Sequence, residues 1–156
     1  MNPNRSFQEQ KSANILALGS DDQLKEASRL WMQNSGNHKY AYNFSWLGRP
    51  IIQLPQDVVA MQEIIWQVQP DLIIETGIAH GGSLIFYASM LELLGGDGQV
   101  IGIDIDIREH NRVEIVANPM AKRIKMIQGS SVDNGIVQQI YDIAQERKSI
   151  LVVLDS

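Results

Sequence analysis

Asp71–Leu84 reads DLIIETGIAHGGSL. An apolar run of strand length stops at Glu75, and the small residues Gly77, Ala79, Gly81 and Gly82 lie between it and the next apolar run. Glycine at 77, 81 and 82 permits positive φ and lets a ligand approach backbone N–H groups. Ser83 to Leu94 has the pattern of a helix with Leu84, Ala88 and Leu91 inward, stopped by GGDG. The positive end of that helix points at the same loop and suits an anionic group.

The pattern repeats outward from this stretch. Upstream, Val58, Met61, Ile65 and Val68 fall at helical spacing with Ile64 beside them; Asp57 is the expected N-cap and Pro70 the terminator. Downstream, QVIGIDID, RIKMIQG and SILVVLD read as strands. Between them, REHNRVEIVANP reads as a helix ended by Pro119, and Asp133 to Arg147 as a helix with Ile136, Ile140 and Ile143 on one face. Strands that are near-continuous apolar runs, alternating with helices, predict an α/β domain with a parallel sheet covered on both faces.

Ligands of open α/β sheets sit at the carboxyl ends of the strands. Those ends carry Glu75 with its glycine loop, Asp104 and Asp106, Gly129 to Ser131, and Asp155. Asp104 lies 22 positions after Gly82, the distance at which a strand-end carboxylate takes ribose hydroxyls. A nucleoside-containing cofactor follows from that. Gly77-x-Ala79-x-x-Gly82 is by itself a degenerate dinucleotide fingerprint, compatible with an NAD-linked oxidoreductase. Glu75 favours S-adenosylmethionine (SAM), because a carboxylate repels a pyrophosphate but suits an ammonium and a sulfonium. A non-catalytic binding module is the third reading.

The whole chain has 156 residues, 44% hydrophobic and 20% charged, with a net charge of −5. That balance argues against nucleic acid, which needs clustered Lys and Arg. The absence of cysteine excludes disulfides and thiolate metal sites. No apolar run has the length of a membrane span and no signal peptide is evident, so a cytoplasmic protein with a small-molecule partner is expected, with a homo-oligomer left open. Residues 1–56 read as a loosely organised N-terminal arm or lid. Leu24 to Met32 is its one expected helix, capped by Asp21 or Asp22, and Tyr40, Tyr42, Phe44 and Trp46 are suited to dock it.

NFSWLGRPIIQLPQDVVAMQEIIWQVQPDLIIETGIAHGGSLIFYASMLELLG, with VIGIDIDIREHNR and LVVLDS, resembles the cephalosporin hydroxylase / rhamnosyl O-methyltransferase family across residues 40–156. The resemblance implies a Rossmann-like SAM-dependent methyltransferase sheet, its first four strands in the order 3-2-1-4. It implies that the loop from Glu75 through Gly77, Ala79, Gly81 and Gly82 to Ser83 holds the methionine part of SAM. Asp104 would take the ribose hydroxyls, Ser131 would flank the adenine, and Asp155 would be a carboxylate ligand of a divalent metal such as Mg²⁺. The implied reaction is methyl transfer to a hydroxyl of a sugar, glycolipid or antibiotic-like molecule, the metal at Asp155 orienting that hydroxyl and lowering its pKa. Family members continue past the fourth strand. Residues 57–156 are therefore expected to be the N-terminal part of the domain, inactive alone, with a long apolar strand left at an edge.

The remaining candidates read more plainly. His80 sits inside the loop and is more often solvated than functional there, and His38 and His110 less suggestive still. Asp106 reads as a turn or cap residue; Asn111 and Arg112 open the following helix and could reach the cofactor, though a solvated face fits them better; AKRIK reads as surface.

Overall fold

The computed structural model describes residues 3–155. It divides into two compact units, Met1–Tyr40 and Ala41–Ser156. The first unit holds helices α1 (Pro3–Ser20) and α2 (Asp22–Asn37). Asp21 caps α2 by accepting from the Leu24 amide at 3.0 Å. The helix expected at 24–32 is thus longer at both ends, and α1 replaces the loose arm expected over its span.

The second unit begins with a short hairpin, β1 (Phe44–Trp46) paired antiparallel with β2 (Arg49–Ile51). Gly48 has φ +84 at the turn between them. The hairpin packs on the α/β layers. Trp46 stands edge-on to Phe86 at 4.8 Å and donates from Nε1 to the Ser89 hydroxyl at 2.9 Å.

Helix α3 (Pro55–Val68) starts with Pro55, whose missing N–H costs nothing at a helix start. Its N-cap is Leu54, and Asp57 lies in the first turn without capping, so the expected cap is corrected. The four aligned strands are β3 (Leu72–Thr76), β4 (Gln99–Asp104), β5 (Ile124–Gln128) and β6 (Ile150–Leu154), with α4 (Gly82–Leu94), α5 (Glu109–Ala117) and α6 (Asn134–Ala144) as crossovers. A short 3-10 turn, Pro119–Arg123, follows α5.

All pairings in this sheet are parallel, in the order β5-β4-β3-β6. In sequence terms this is third, second, first, fourth, as the resemblance implied. All five residues of β3 are buried, which is why LIIET shows no alternation. Leu84, Phe86, Ala88, Leu91 and Ile115 cover one face; Ile136, Ile140 and Ile143 of α6 cover Leu72, Ile74, Ile101, Ile103 and Ile127 on the other. Glycine at 102 makes the first packing close, because a Cβ there would meet Leu84 Cδ1 at 2.7 Å. Asp71 accepts from the Lys148 and Ser149 amides at 2.9 and 3.0 Å, which ties the start of β6 to that of β3. On β6, Ile150, Val152 and Leu154 remain exposed. Among the described residues no helix is long and apolar enough to cross a membrane.

Candidate functional site

The carboxyl ends of the four strands converge on a cleft of three adjoining cavities. Asp104 lines all three. The first, about 260 Å³, lies over the glycine loop and is lined by Gly77, Ile78, Ala79, Gly82, Ser83 and Asp155 together with the Pro50–Gln53 stretch. The second, about 330 Å³, runs from Ala79 and His80 past Asp106 to Asn111. The third, about 210 Å³, includes Gly77, Gly129, Ser130 and Ser131. Every residue singled out on the strand ends therefore borders one cleft, except Glu75 and Gly81, which lie behind its wall.

The loop conformation explains its composition. Gly77 has φ +90, Gly81 φ +79 and Ala79 φ +45. Gly81 caps α4 in the left-handed conformation, where a Cβ would also strike Ile115. Gly82 is required for a different reason: a Cβ there would run into the Pro50 carbonyl. The hairpin backbone thus lies directly on the loop. Asp104 closes the loop from the other side, accepting from the Ile78 amide at 2.8 Å with Oδ2 and from the Asp106 amide at 3.0 Å with Oδ1.

Glu75 is neither solvated nor a helix cap. Its side chain is fully buried, and Oε2 accepts from the Ser83 hydroxyl at 2.7 Å. Glu75 Oε1, Gln53 Oε1 and the Tyr87 hydroxyl are all shut off from solvent and gather as one buried polar floor, in which Tyr87 interacts with both Glu75 and Gln53. Burial raises the Glu75 pKa to about 8, the Ser83 hydrogen bond opposes the rise, and the Asp155 charge adds to it. Burial also pushes the Tyr87 phenol upward. The ligand-free Glu75 is therefore largely protonated at neutral pH, which corrects the picture of a fixed anion at this edge. A cation placed against it would restore the charge.

Sequence reasoning missed Gln53, Tyr87 and Arg49, and it misplaced Asn111. Asn111 is buried, donating from Nδ2 to the Ala79 carbonyl at 2.8 Å. Arg49 donates to the His80 carbonyl from Nε at 3.1 Å and Nη2 at 2.7 Å. Arg112 does lie on the partly open helix face, donating to Gln128 at 3.2 Å. Asp155 is exposed, its amide donating to the Thr76 carbonyl at 3.1 Å. Among the described residues no three His, Cys, Asp or Glu side chains gather as metal ligands would. A hard divalent cation takes several oxygen ligands, so these residues alone do not fit one.

Comparison with known proteins follows this geometry. The family model for Rhamnosyl O-methyltransferase/CmcI matches residues 38–156. The Rhamnosyl O-methyltransferases of Mycobacterium leprae (strain TN) and Mycobacterium bovis (strain BCG / Pasteur 1173P2) are each 30% identical to 76% of the chain, over 53% and 50% of their own lengths. The chain thus spans about half the length of the curated relatives it matches. A CmcI structure with Mg and SAM has a TM-score of 0.55 at 23% identity, covering 74% of this chain and 47% of that one. A CmcI structure with SAH has a TM-score of 0.51 at 21% identity, over 72% and 53%. This likeness establishes the sheet architecture.

Proposed function

Because the chain belongs to the Rhamnosyl O-methyltransferase/CmcI family, we propose that it binds SAM in this cleft, within an O-methyltransferase acting on a hydroxyl of a sugar, glycolipid or antibiotic-like small molecule. The observation that carries the reading is Glu75: a carboxyl buried directly behind the glycine loop and bonded to Ser83, which lines the cavity. A buried carboxyl is held neutral unless positive charge comes near it. The ammonium end of SAM, seated in that cavity, would bring such a charge and draw the carboxyl back to its charged form.

The other roles follow from position. Gly77 and Ala79 present bare backbone to the methionine part, with Ser83 already engaged to Glu75. Asp104 spends one lone pair of each oxygen on a backbone amide, that of Ile78 in the loop and that of Asp106 in its own turn. A carboxylate has about four acceptor sites, so two remain for ribose hydroxyls. Ser131, at the edge of the third cavity, would flank the adenine. Bound SAM supplies an electrophilic methyl on a sulfonium; the chain's task is to orient it for in-line approach of the acceptor. Asp155 lines the glycine-loop cavity and adds one exposed carboxylate to it.

An NAD-linked oxidoreductase is the competing reading. No lysine or arginine is among the described residues lining the glycine-loop cavity, and the acidic Asp104 and Asp155 do line it, which suits an ammonium and a sulfonium better than a pyrophosphate. Calorimetric titration of the chain with S-adenosylhomocysteine (SAH), SAM and NAD, each separately, distinguishes the two. SAH and SAM are expected to bind with release of protons at pH 7, seen as an enthalpy that varies with the buffer. Binding of NAD with neither SAH nor SAM would overturn the assignment. Labelled SAM offered with a panel of sugar hydroxyls then tests the acceptor class.

A further inference from the structure

Two successive carbonyls of the glycine loop, at Ala79 and His80, are captured by side chains from elements on either side of it. Asn111 of α5 donates Nδ2–H to the Ala79 oxygen at 2.8 Å. Arg49 of β2 donates Nε–H and Nη2–H to the His80 oxygen at 3.1 and 2.7 Å. The two side chains are themselves joined, Arg49 Nη2 donating to Asn111 Oδ1 at 3.1 Å. Arg49 is only 12% exposed and Asn111 is buried, so both sit in the packed wall. The peptide planes they hold are unusual ones. Ala79 is a non-glycine residue in the left-handed region, and Gly81, two residues on, is left-handed too. Such strained backbone persists only where its surroundings hold it in place.

A trans peptide points its carbonyl and its N–H in opposite directions. Fixing the Ala79 oxygen on Asn111 therefore fixes the His80 N–H facing the other way. Fixing the His80 oxygen on Arg49 does the same for the Gly81 N–H, which closes the turn on the Ile78 carbonyl at 2.7 Å. The His80 ring contributes little, its Nδ1 being 3.5 Å from Asn111 Oδ1.

We infer that Arg49 and Asn111 are positioning residues of the cofactor cradle: acting together through the Ala79 and His80 carbonyls, they hold the loop in the one arrangement that accepts the ligand. The inference rests on the SAM reading for the identity of that ligand, but the clamp itself can be tested without it. The hairpin is then a fixed part of the cradle rather than a lid over it. Lysine cannot replace Arg49, because one ammonium lacks the planar fork that serves two acceptors at once.

The test uses the whole chain with Arg49→Lys, Asn111→Ala and, as a control, Glu114→Gln. Glu114 meets Arg49 Nη1 only at 3.8 Å and is 62% exposed, so it adds charge near the clamp without forming it. Amide hydrogen exchange on the ligand-free protein is read first. Exchange at residues 78–82 should quicken at least about tenfold in the first two variants, while β3 and β4 stay protected and Glu114→Gln matches the unsubstituted chain. SAH affinity, titrated in parallel, should fall about tenfold in both and stay unchanged in the control. Unchanged loop exchange in both variants overturns the clamp, as does loss of protection spread evenly over β3 and β4. Quickened loop exchange in a chain that never binds SAH supports the clamp and overturns the SAM reading instead. Arg49→Lys keeps the test open should Asn111→Ala fail to fold.

Discussion

Glu75 stands on β3, and Asp155 directly follows its parallel neighbour β6, the two strands being in register through Glu75 with Val153 and Thr76 with Leu154. They are the same kind of group at the same end of one sheet, and their circumstances are opposite. Glu75 is on a strand paired on both sides, beneath α4, with no exposed surface. Asp155 follows the sheet's outer strand and is exposed. The first carboxyl is pushed to a pKa of about 8. It can therefore change charge when a ligand arrives. The second is open to solvent at the edge of the cavity. Place in the sheet, more than residue type, decides what a carboxyl can do. The cradle side is built and enclosed within the described residues, whereas the Asp155 side is a single exposed carboxylate.

The change that most strongly breaks the cradle side leaves both carboxyls in place. Gly77 sits at φ +90 in the lining of the glycine-loop cavity. A β-branched residue is a genuine outlier there. Gly77→Val should therefore abolish measurable SAH binding while the circular dichroism spectrum stays that of the unsubstituted chain, because the residue belongs to no core cluster. Normal SAH binding by Gly77→Val would mean that the loop backbone is not the cradle.

Glu75→Gln sharpens the comparison, since it should move binding and stability in opposite directions. In the folded chain the carboxyl titrates near pH 8, against an ordinary 4.5. Between those values the unfolded chain holds fewer protons than the folded one, so this group's contribution to stability falls as pH rises from about 5 to 8. Its ionisation at pH 8 and above costs of order a few kcal/mol. Glutamine keeps the acceptor for Ser83 and removes that cost. The variant should melt higher than the unsubstituted chain at pH 8, with a smaller advantage at pH 5. It should also bind SAH at least about tenfold more weakly, having lost a charge-assisted hydrogen bond. Its SAH binding should release no proton. A variant no more stable at pH 8 would show that Glu75 is already charged in the free protein.

What could be read in the sequence follows the same division. The sheet and the cleft were legible because buried parallel strands must be apolar runs and because glycines mark a backbone approached closely. LIIET and QVIGID needed no distant information. The family resemblance added the strand order. The clamp was not legible: Arg49 and Asn111 reach His80 and Ala79 across 31 and 32 positions, and no local period records such a contact. Asn111 looked solvated because its helix shows only two buried positions, itself and Ile115. Gln53 and Tyr87 lay hidden for a related reason, each looking like an ordinary residue of a loop or a core helix until the fold brought them to Glu75. Helix α1 gave no amphipathic signal, and Phe7, Ile15, Leu16 and Leu18 are indeed exposed on it.

Asp155→Asn should have the smallest effect, and its sign is fixed. The Asp155 charge raises the Glu75 pKa, ranking behind burial and the opposing Ser83 hydrogen bond. Removing the charge should lower the pH at which Glu75 ionises, so the rise of SAH affinity with pH begins earlier. At pH 7 the affinity should increase slightly, by less than about threefold, because an exposed charge interacts weakly through solvent. That difference should shrink further at 1 M salt, where the screening length falls to about 3 Å. Neither effect should need a metal, so the titrations are run with a chelator present. If Asp155→Asn instead weakened SAH binding tenfold under those conditions, the exposed carboxyl would be touching the cofactor directly. The contrast with Glu75 would then be one of burial alone and not of role.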